Sequence, residues 1–226
     1  MAKKERRFHY FEIIIALFTA ALIISNVAST KILKFGPFTF DGGTILFPII
    51  YIFGDILTEV YGYRKSRKVI WTGFFSLFLF SLTMMIVQFL PSAEGWNLQG
   101  CFESILGLVP RIALASMVAY LVGEFSNSYT LAKMKIWTKG KYLWTRTIGS
   151  TLIGEFFDTG LFVLIAFAGV LSTPLLLTIM LSNYIFKCAV EIIFTPLTYK
   201  VVGFLKNREK EDYYDYKTNF NPFNWK

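Results

Sequence analysis

Histidine, cysteine and charge are all in short supply in this chain. His9 is the sole imidazole, and it lies at the edge of an apolar stretch. That excludes a His-ligated zinc site and a Ser–His nucleophile pair. Cys101 falls in a loop and Cys188 in an apolar segment, so neither a disulfide framework nor a metal site is indicated. No Walker A string and no nucleotide fold can be found, and any coupling to ATP would need a partner protein. Charged residues make up 17% of the chain, against about a quarter in soluble globular domains. No low-complexity or linker segment separates parts of the chain.

What is abundant is apolar. Hydrophobic residues reach 54% and include 24 Phe, in 226 residues, and the charges cluster between long apolar runs. A transmembrane helix needs ~20 mostly apolar residues. Six segments meet this, about 9–28, 43–62, 69–90, 109–130, 148–170 and 176–203. The expectation is an all-α, polytopic integral membrane protein with a single transmembrane domain over 1–226 and a cytoplasmic tail at 204–226. The first segment has the basic start of a signal peptide, but its apolar run continues to Val27, so it reads as a retained span.

Loop charge predicts direction. Lys3, Lys4, Arg6 and Arg7 precede the first span, Arg64, Lys65, Arg67 and Lys68 follow the second, and Lys133, Lys135, Lys139, Lys141 and Arg146 follow the fourth. The intervening loops are poor in Lys and Arg. By the positive-inside rule both termini are cytoplasmic. The net charge of +8 is thus an orientation signal, and no nucleic-acid partner is expected. Three spans per half would enter in opposite directions, a 3+3 inverted repeat of the kind common among transporters. Its sequence support is thin, limited to Gly54-Asp55 in the second span and Gly154-Glu155 in the fifth.

The functional signal is charge at membrane depth. An ionisable side chain at the bilayer centre costs at least ~2.5–3.5 kcal/mol on insertion scales. Asp55, Glu59, Arg111, Glu124, Glu155, Asp158, Lys187 and Glu191 all fall within the six segments. Their spacing is helical. Tyr51, Asp55 and Glu59 share a face of the second span, and Ser116, Tyr120, Glu124 and Ser128 a face of the fourth. Thr151, Glu155 and Asp158 do so in the fifth, and Asn183, Lys187, Glu191 and Thr195 in the sixth. Four polar stripes on otherwise apolar cylinders must face one another or water, so an enclosed polar cavity is expected. Helical rise places Asp158 and Glu191 near mid-bilayer, with Asp55, Glu124 and Glu155 toward the cytoplasm and Arg111 near the outer mouth.

Six acids face two bases, so some acids must be protonated, hydrated or matched by a cationic or hydrogen-bond-donating substrate. Structural readings stand beside the functional ones. Glu59, close to the surface, is expected to meet Arg64 or Arg67, and Arg111 could anchor at the interface. Lys187 and Glu191, four residues apart, could satisfy each other. Glu155 and Asp158 repel unless something binds between them. The Phe stripes face lipid or pack the core.

A longer string is more specific than hydropathy. Gly54-Asp55-Ile56-Leu57-Thr58-Glu59-Val60-Tyr61-Gly62-Tyr63-Arg64 resembles the signature of the YhhQ-type queuosine precursor transporters, the vitamin uptake transporter family. Three further stretches agree. They are Ser25-Asn26 with Lys31, then Trp144-Thr145-Arg146 through Ser150-Thr151 and Gly154-Glu155 to Asp158, and finally Tyr214-Asp215 through Thr218-Asn219-Phe220-Asn221-Pro222-Phe223. The resemblance covers nearly the whole chain. It implies a bacterial cytoplasmic-membrane importer of 7-deazaguanine precursors for tRNA modification salvage. The candidates are 7-cyano-7-deazaguanine, 7-aminomethyl-7-deazaguanine and queuine, with proton coupling through a carboxylate as one mode.

The residues suit such a solute. Adjacent N–H donors on its pyrimidine edge match a carboxylate, for which Asp158 and Glu155 are favoured. Its O6 needs a donor such as Asn183, Lys187 or Arg111, and its flat rings would stack on Tyr51, Trp71 or Tyr120. The candidate substrate-binding set is Asn26, Tyr51, Asp55, Trp71, Arg111, Tyr120, Glu124, Thr151, Glu155, Asp158, Asn183, Lys187 and Glu191. No cofactor is called for, and glycine-bearing faces are compatible with a monomer or a homodimer. Two other classes compete with a carrier. One is the substrate-capturing membrane subunit of an energised importer. The other is an intramembrane protease using Asp55 and Asp158.

Overall fold

The structure is a computed structural model that describes residues 8–28, 31–35, 38–106, 110–169 and 172–224. Arg111 lies in a helix, but its side chain is outside the described residues, so its expected role in the outer mouth has no structural counterpart here. The order of elements is α1 (Phe11–Ala28), a two-stranded antiparallel hairpin of β1 (Ile32–Phe35) and β2 (Phe38–Asp41), and a 3-10 turn at Gly42–Ile45. Then follow α2 (Phe47–Tyr61), α3 (Tyr63–Phe89), a short α4 (Gln99–Leu106), α5 (Pro110–Trp137), α6 (Leu143–Phe167) and α7 (Thr173–Glu209). The hairpin departs from the all-α expectation: Ile, Phe and Thr alternate there with little helix propensity. The 3-10 turn also shortens α2, which begins at Phe47 with a proline in its first turn.

Among the described residues, four helices are long and apolar enough to cross a membrane, within Phe11–Ala28, Tyr63–Phe89, Leu143–Ala166 and Leu176–Glu209. The other two long segments are diluted by polar residues. α2 spans 15 residues and carries Asp55 and Glu59, and α5 carries Glu124 and then Lys133 and Lys135. At ~1.5 Å per residue, the 37 residues of α7 run roughly 55 Å, well beyond the ~30 Å of hydrocarbon. Pro196 lies inside α7 and removes one backbone hydrogen bond, which membrane helices tolerate where neighbours resatisfy the carbonyl.

α5 packs along α6, α6 against α7, α2 against α5 and α7, and α1 against α2 and α3. The α5–α6 crossing is tight because both helices present glycine. A Cβ built on Gly123 would lie 2.8 Å from the Asp158 Cβ, and one on Gly154 would lie 2.9 Å from the Asn127 Cβ. Such small-residue contacts let backbones approach, which replaces the hydrophobic drive that lipid cannot supply. On the other side Phe18, Ile56, Leu57, Val60, Ile70 and Leu77 form an apolar core between α1, α2 and α3. The start of α1 and the end of α7 meet at one end of the bundle. There the Glu209 carboxylate accepts hydrogen bonds from the backbone N–H groups of His9 at 3.2 Å and Tyr10 at 2.7 Å, capping the start of α1.

Candidate functional site

The four polar stripes turn inward as their spacing requires. Tyr51, Asp55, Glu124, Ser128, Thr151, Glu155 and Glu191 are all buried. A cavity of about 170 Å³ lies among the helices, with Tyr51 and Glu124 of this set in its wall. α1 contributes Leu22, Ser25 and Asn26 to its wall, and the start of α2 adds Ile50 and Tyr51, with Gly43 from the turn before it. α5 supplies Ser116, Ala119, Tyr120 and Glu124, α6 supplies Asp158, Thr159 and Phe162, and α7 supplies Asn183 and Lys187. These residues come from the halves of their helices that point away from the tail. Of the candidates named from sequence, Asn26, Tyr51, Tyr120, Glu124, Asp158, Asn183 and Lys187 line the cavity.

Asp55, Thr151, Glu155 and Glu191 are buried but do not form its wall. Trp71 is elsewhere. Its Nε1 donates to the Pro222 carbonyl at 2.9 Å, and its ring packs among Phe74, Phe75, Phe125 and Phe223. Of the three aromatic residues expected to stack on a solute, Tyr51 and Tyr120 line the cavity and Trp71 does not. Tyr120 is fixed by a hydrogen bond from its hydroxyl to the Ile70 carbonyl at 3.1 Å.

Lys187 resolves the repulsion between two acids. Its ammonium lies 2.7 Å from Asp158 Oδ2 and 3.1 Å from Glu155 Oε2. The expected pairing of Lys187 with Glu191 is not what forms: the cation reaches across to α6 rather than along its own helix. Thr159 also donates to Glu155 Oε2, at 3.1 Å. Glu124 faces the cavity with no hydrogen bond or ion pair among the described residues, and its Oε2 is a buried acceptor without a donor. Behind the cavity, Asn127 Nδ2 donates to Asp55 Oδ1 at 2.9 Å, while Asp55 Oδ2 and both oxygens of Glu191 have no donor. Sequence reading passed over Asn127, which lies three residues from Glu124 on the same face of α5 but off the four-residue stripe.

A second cluster closes the tail end. Glu59 does not meet Arg64 or Arg67. Arg146 Nε and Nη2 hold its two oxygens at 2.7 and 2.8 Å. Lys206 Nζ lies 2.5 Å from its Oε1, and Lys135 Nζ lies 3.5 Å from the same oxygen. Lys135 and Lys206 also bind Asp212 at 2.6 and 2.8 Å. Partial burial pushes the Asp212 carboxyl up, but hydrogen bonds from the two lysines and their charges outweigh it and hold it below the ordinary carboxylate range.

The tail then folds back over this end. Asp215 accepts from the Tyr63 backbone N–H at 3.0 Å, and Arg67 donates to the carbonyls of Asn219 and Asn221 at 2.9 and 2.8 Å. Gly62, at φ +82° between α2 and α3, lies under the Tyr213 ring, which any Cβ there would overlap. The sequence signals for this strap, Gly62 and Asn219 through Phe223, are present but do not reveal their mates. Among the described residues no group of three His, Cys, Asp or Glu side chains could hold a metal ion.

Residues 41–201 match the model of a family described as "Putative vitamin uptake transporter". A Bacillus subtilis (strain 168) protein named "Probable queuosine precursor transporter" is 30% identical over 191 residues, 84% of this chain and 83% of its own length. The Escherichia coli (strain K12) "Queuosine precursor transporter" is 26% identical over 163 residues, 71% of each chain. A Haemophilus influenzae protein named "Probable queuosine precursor transporter" is 28% identical over 128 residues, 55% of this chain and 51% of its own. No solved structure matches.

Proposed function

The chain belongs to the vitamin uptake transporter family, and from that premise we propose that it imports a queuosine precursor, a 7-deazaguanine base, through the cavity between α1, α2, α5, α6 and α7. In this reading α1, α2, α3, α5, α6 and α7 are six spans with both termini in the cytoplasm of a bacterial cell. The cavity then belongs to the outer half of the bundle, and the Glu59 cluster with the tail closes the inner half.

One observation carries the substrate assignment. Glu124 presents an unpaired carboxylate to the cavity while Lys187 and Asn183 stand on another of its walls. A deazaguanine offers adjacent N–H donors on its pyrimidine edge, with a carbonyl oxygen next to them. The carboxylate accepts from the first, and Lys187 or Asn183 donates to the second. Tyr51 and Tyr120 supply aromatic faces for the rings. A cavity of about 170 Å³ is smaller than the ~300–1,000 Å³ of drug-sized sites, which favours a free base over a nucleoside. Among the precursors, the aminomethyl form would place its cation near Asp158. Glu124 replaces Glu155 as the base-edge acid, since Lys187 and Thr159 already occupy Glu155.

The test is uptake of labelled 7-cyano-7-deazaguanine by proteoliposomes containing this protein alone. Saturable uptake, reduced at least tenfold by Glu124→Gln with insertion intact, is the expected result. Uptake that requires an added ATPase would make the chain the capturing subunit of an energised importer. Unchanged uptake by Glu124→Gln would remove the binding pose.

A further inference from the structure

One helical turn behind the cavity, α2 and α7 repeat their pairing with different chemistry. Tyr51 and Lys187 line the cavity. Four residues on, ~6 Å along each helix, come Asp55 and Glu191, which are 0% and 1% exposed. The two helices pack against each other, so two buried acids lie on facing elements. Neither has a cationic partner, and three of their four oxygens accept no hydrogen bond. The fourth, Asp55 Oδ1, takes the Asn127 amide N–H.

That bond fixes the Asn127 carboxamide against Asp55, and its Oδ1 is itself buried without a partner in a side chain that is 0% exposed. The Thr151 hydroxyl, one turn before Glu155 on α6, is 1% exposed and unpartnered as well. Other charges nearby add no cation. Glu124 and Glu59 face Asp55, and Glu155 faces Glu191, while Lys187 is held by Asp158 and Glu155. Two buried carboxylates without a cationic partner, on helices that pack against each other and with a buried amide oxygen beside one of them, are the surroundings of a small cation. Among the described residues no group of three His, Cys, Asp or Glu side chains could hold a metal ion, which argues against a multivalent metal.

We propose that Asp55 and Glu191, with the side-chain oxygens of Asn127 and Thr151, form a site for one monovalent cation, a proton or Na+, whose occupancy is coupled to movement of the solute one turn away. This rests on the carrier reading for its coupling role but not for its existence. The ligands lie on α2, α5, α6 and α7, the same helices that wall the cavity. A cation there relieves repulsion only while the four helices are drawn together, so its arrival and departure favour different packings of the bundle.

The experiment has a direct arm and a coupling arm. In the direct arm, purified protein is titrated with Na+ against choline by thermal unfolding. The infrared carbonyl band of protonated carboxyl groups is followed with pH alongside it. A Na+-dependent stabilisation, or a protonated-carboxyl band, that disappears in Asp55→Asn and in Glu191→Gln is the expected result. Its absence in the wild type, or its persistence in both variants, overturns the site. In the coupling arm, uptake of labelled 7-cyano-7-deazaguanine is measured with an inward Na+ or proton gradient. One of the two should accelerate uptake severalfold in the wild type, and whatever uptake the variants retain should ignore it. Uptake that ignores both gradients overturns the coupling. No uptake under any condition overturns the carrier reading, and the direct arm still decides the site.

Discussion

Arg146 of α6 grips Glu59 of α2 through two parallel contacts, Nε to Oε2 at 2.7 Å and Nη2 to Oε1 at 2.8 Å. Both side chains are almost wholly buried, at 2% and 0% side-chain exposure. Removing one partner from a buried pair strands the other charge, at a cost of about 3–5 kcal/mol. Glu59→Gln strands Arg146 and leaves Lys135 and Lys206 with Asp212 as their one acid, and Arg146→Ala removes the bidentate member. Both variants should unfold at clearly lower temperature in detergent. Arg146→Lys should fall between them and the wild type, because an ammonium keeps the charge but cannot reproduce the planar fork. A lysine variant as stable as the wild type would show that charge alone matters at this end of the bundle.

The α5–α6 crossing makes a steric prediction. Gly123→Ala or Gly154→Ala introduces a methyl group within 2.8 or 2.9 Å of a Cβ on the facing helix. The helices must separate, with an overpacking cost of about 1–3 kcal/mol. Because Glu124 and Asp158 flank that crossing, uptake should fall with stability. Gly160→Ala is the control, since its methyl would meet only Met180 Cε at an ordinary 3.8 Å. Equal losses at all three positions would point to glycine flexibility instead of close approach.

How much of this was legible in the sequence depends on whether partners lie on one helix or two. The inward stripes were legible, because period and charge together leave a buried face no other direction, and Tyr120, Glu124 and Asp158 reach one cavity as that reasoning requires. Partner choice was not. Lys187 and Glu191 are neighbours along α7, yet the cation turns to Glu155 and Asp158, where two carboxylates instead of one offset its desolvation. Glu59 passes over Arg64 and Arg67 for Arg146, 87 residues away in sequence: beyond Gly62, Arg67 binds the tail carbonyls and Arg64 is exposed. The short polar strap after Glu209 has no periodicity to read. Its backbone carbonyls, which bind Arg67 and Trp71, carry no residue signature at all.

Asp212 gives a pH dependence with a definite sign. Its folded pKa lies below the ordinary carboxylate value because Lys135 and Lys206 outweigh its partial burial. A depressed acid contributes stability above its unfolded pKa of ~3.9 and loses it as pH falls through the folded value. With 44% of the side chain exposed, screening limits the contribution to under about 1 kcal/mol. Asp212→Asn should therefore melt slightly below the wild type at pH 7, and the gap should close as pH drops below ~4. Melting curves of the two proteins between pH 7 and pH 3 make the comparison. A gap that widens toward acid would mean that Asp212 is not held by its lysines.

Lys187 separates structure from transport most sharply. Lys187→Met leaves Glu155 and Asp158 facing each other without their cation, so the variant should be strongly destabilised and inactive, which alone says nothing about substrate. Adding Glu155→Gln and Asp158→Asn removes the stranded charges, and replacing a buried ionic group by neutral side chains of similar volume is often close to neutral for stability. The triple variant should recover most of the lost melting temperature. Uptake should stay absent, because the cavity wall then lacks its ammonium donor for the solute's carbonyl oxygen and the Asp158 carboxylate beside it. If uptake returned together with stability, Lys187 would be a counter-ion for two acids and nothing more, and recognition would rest on Glu124, Asn183 and the two tyrosines.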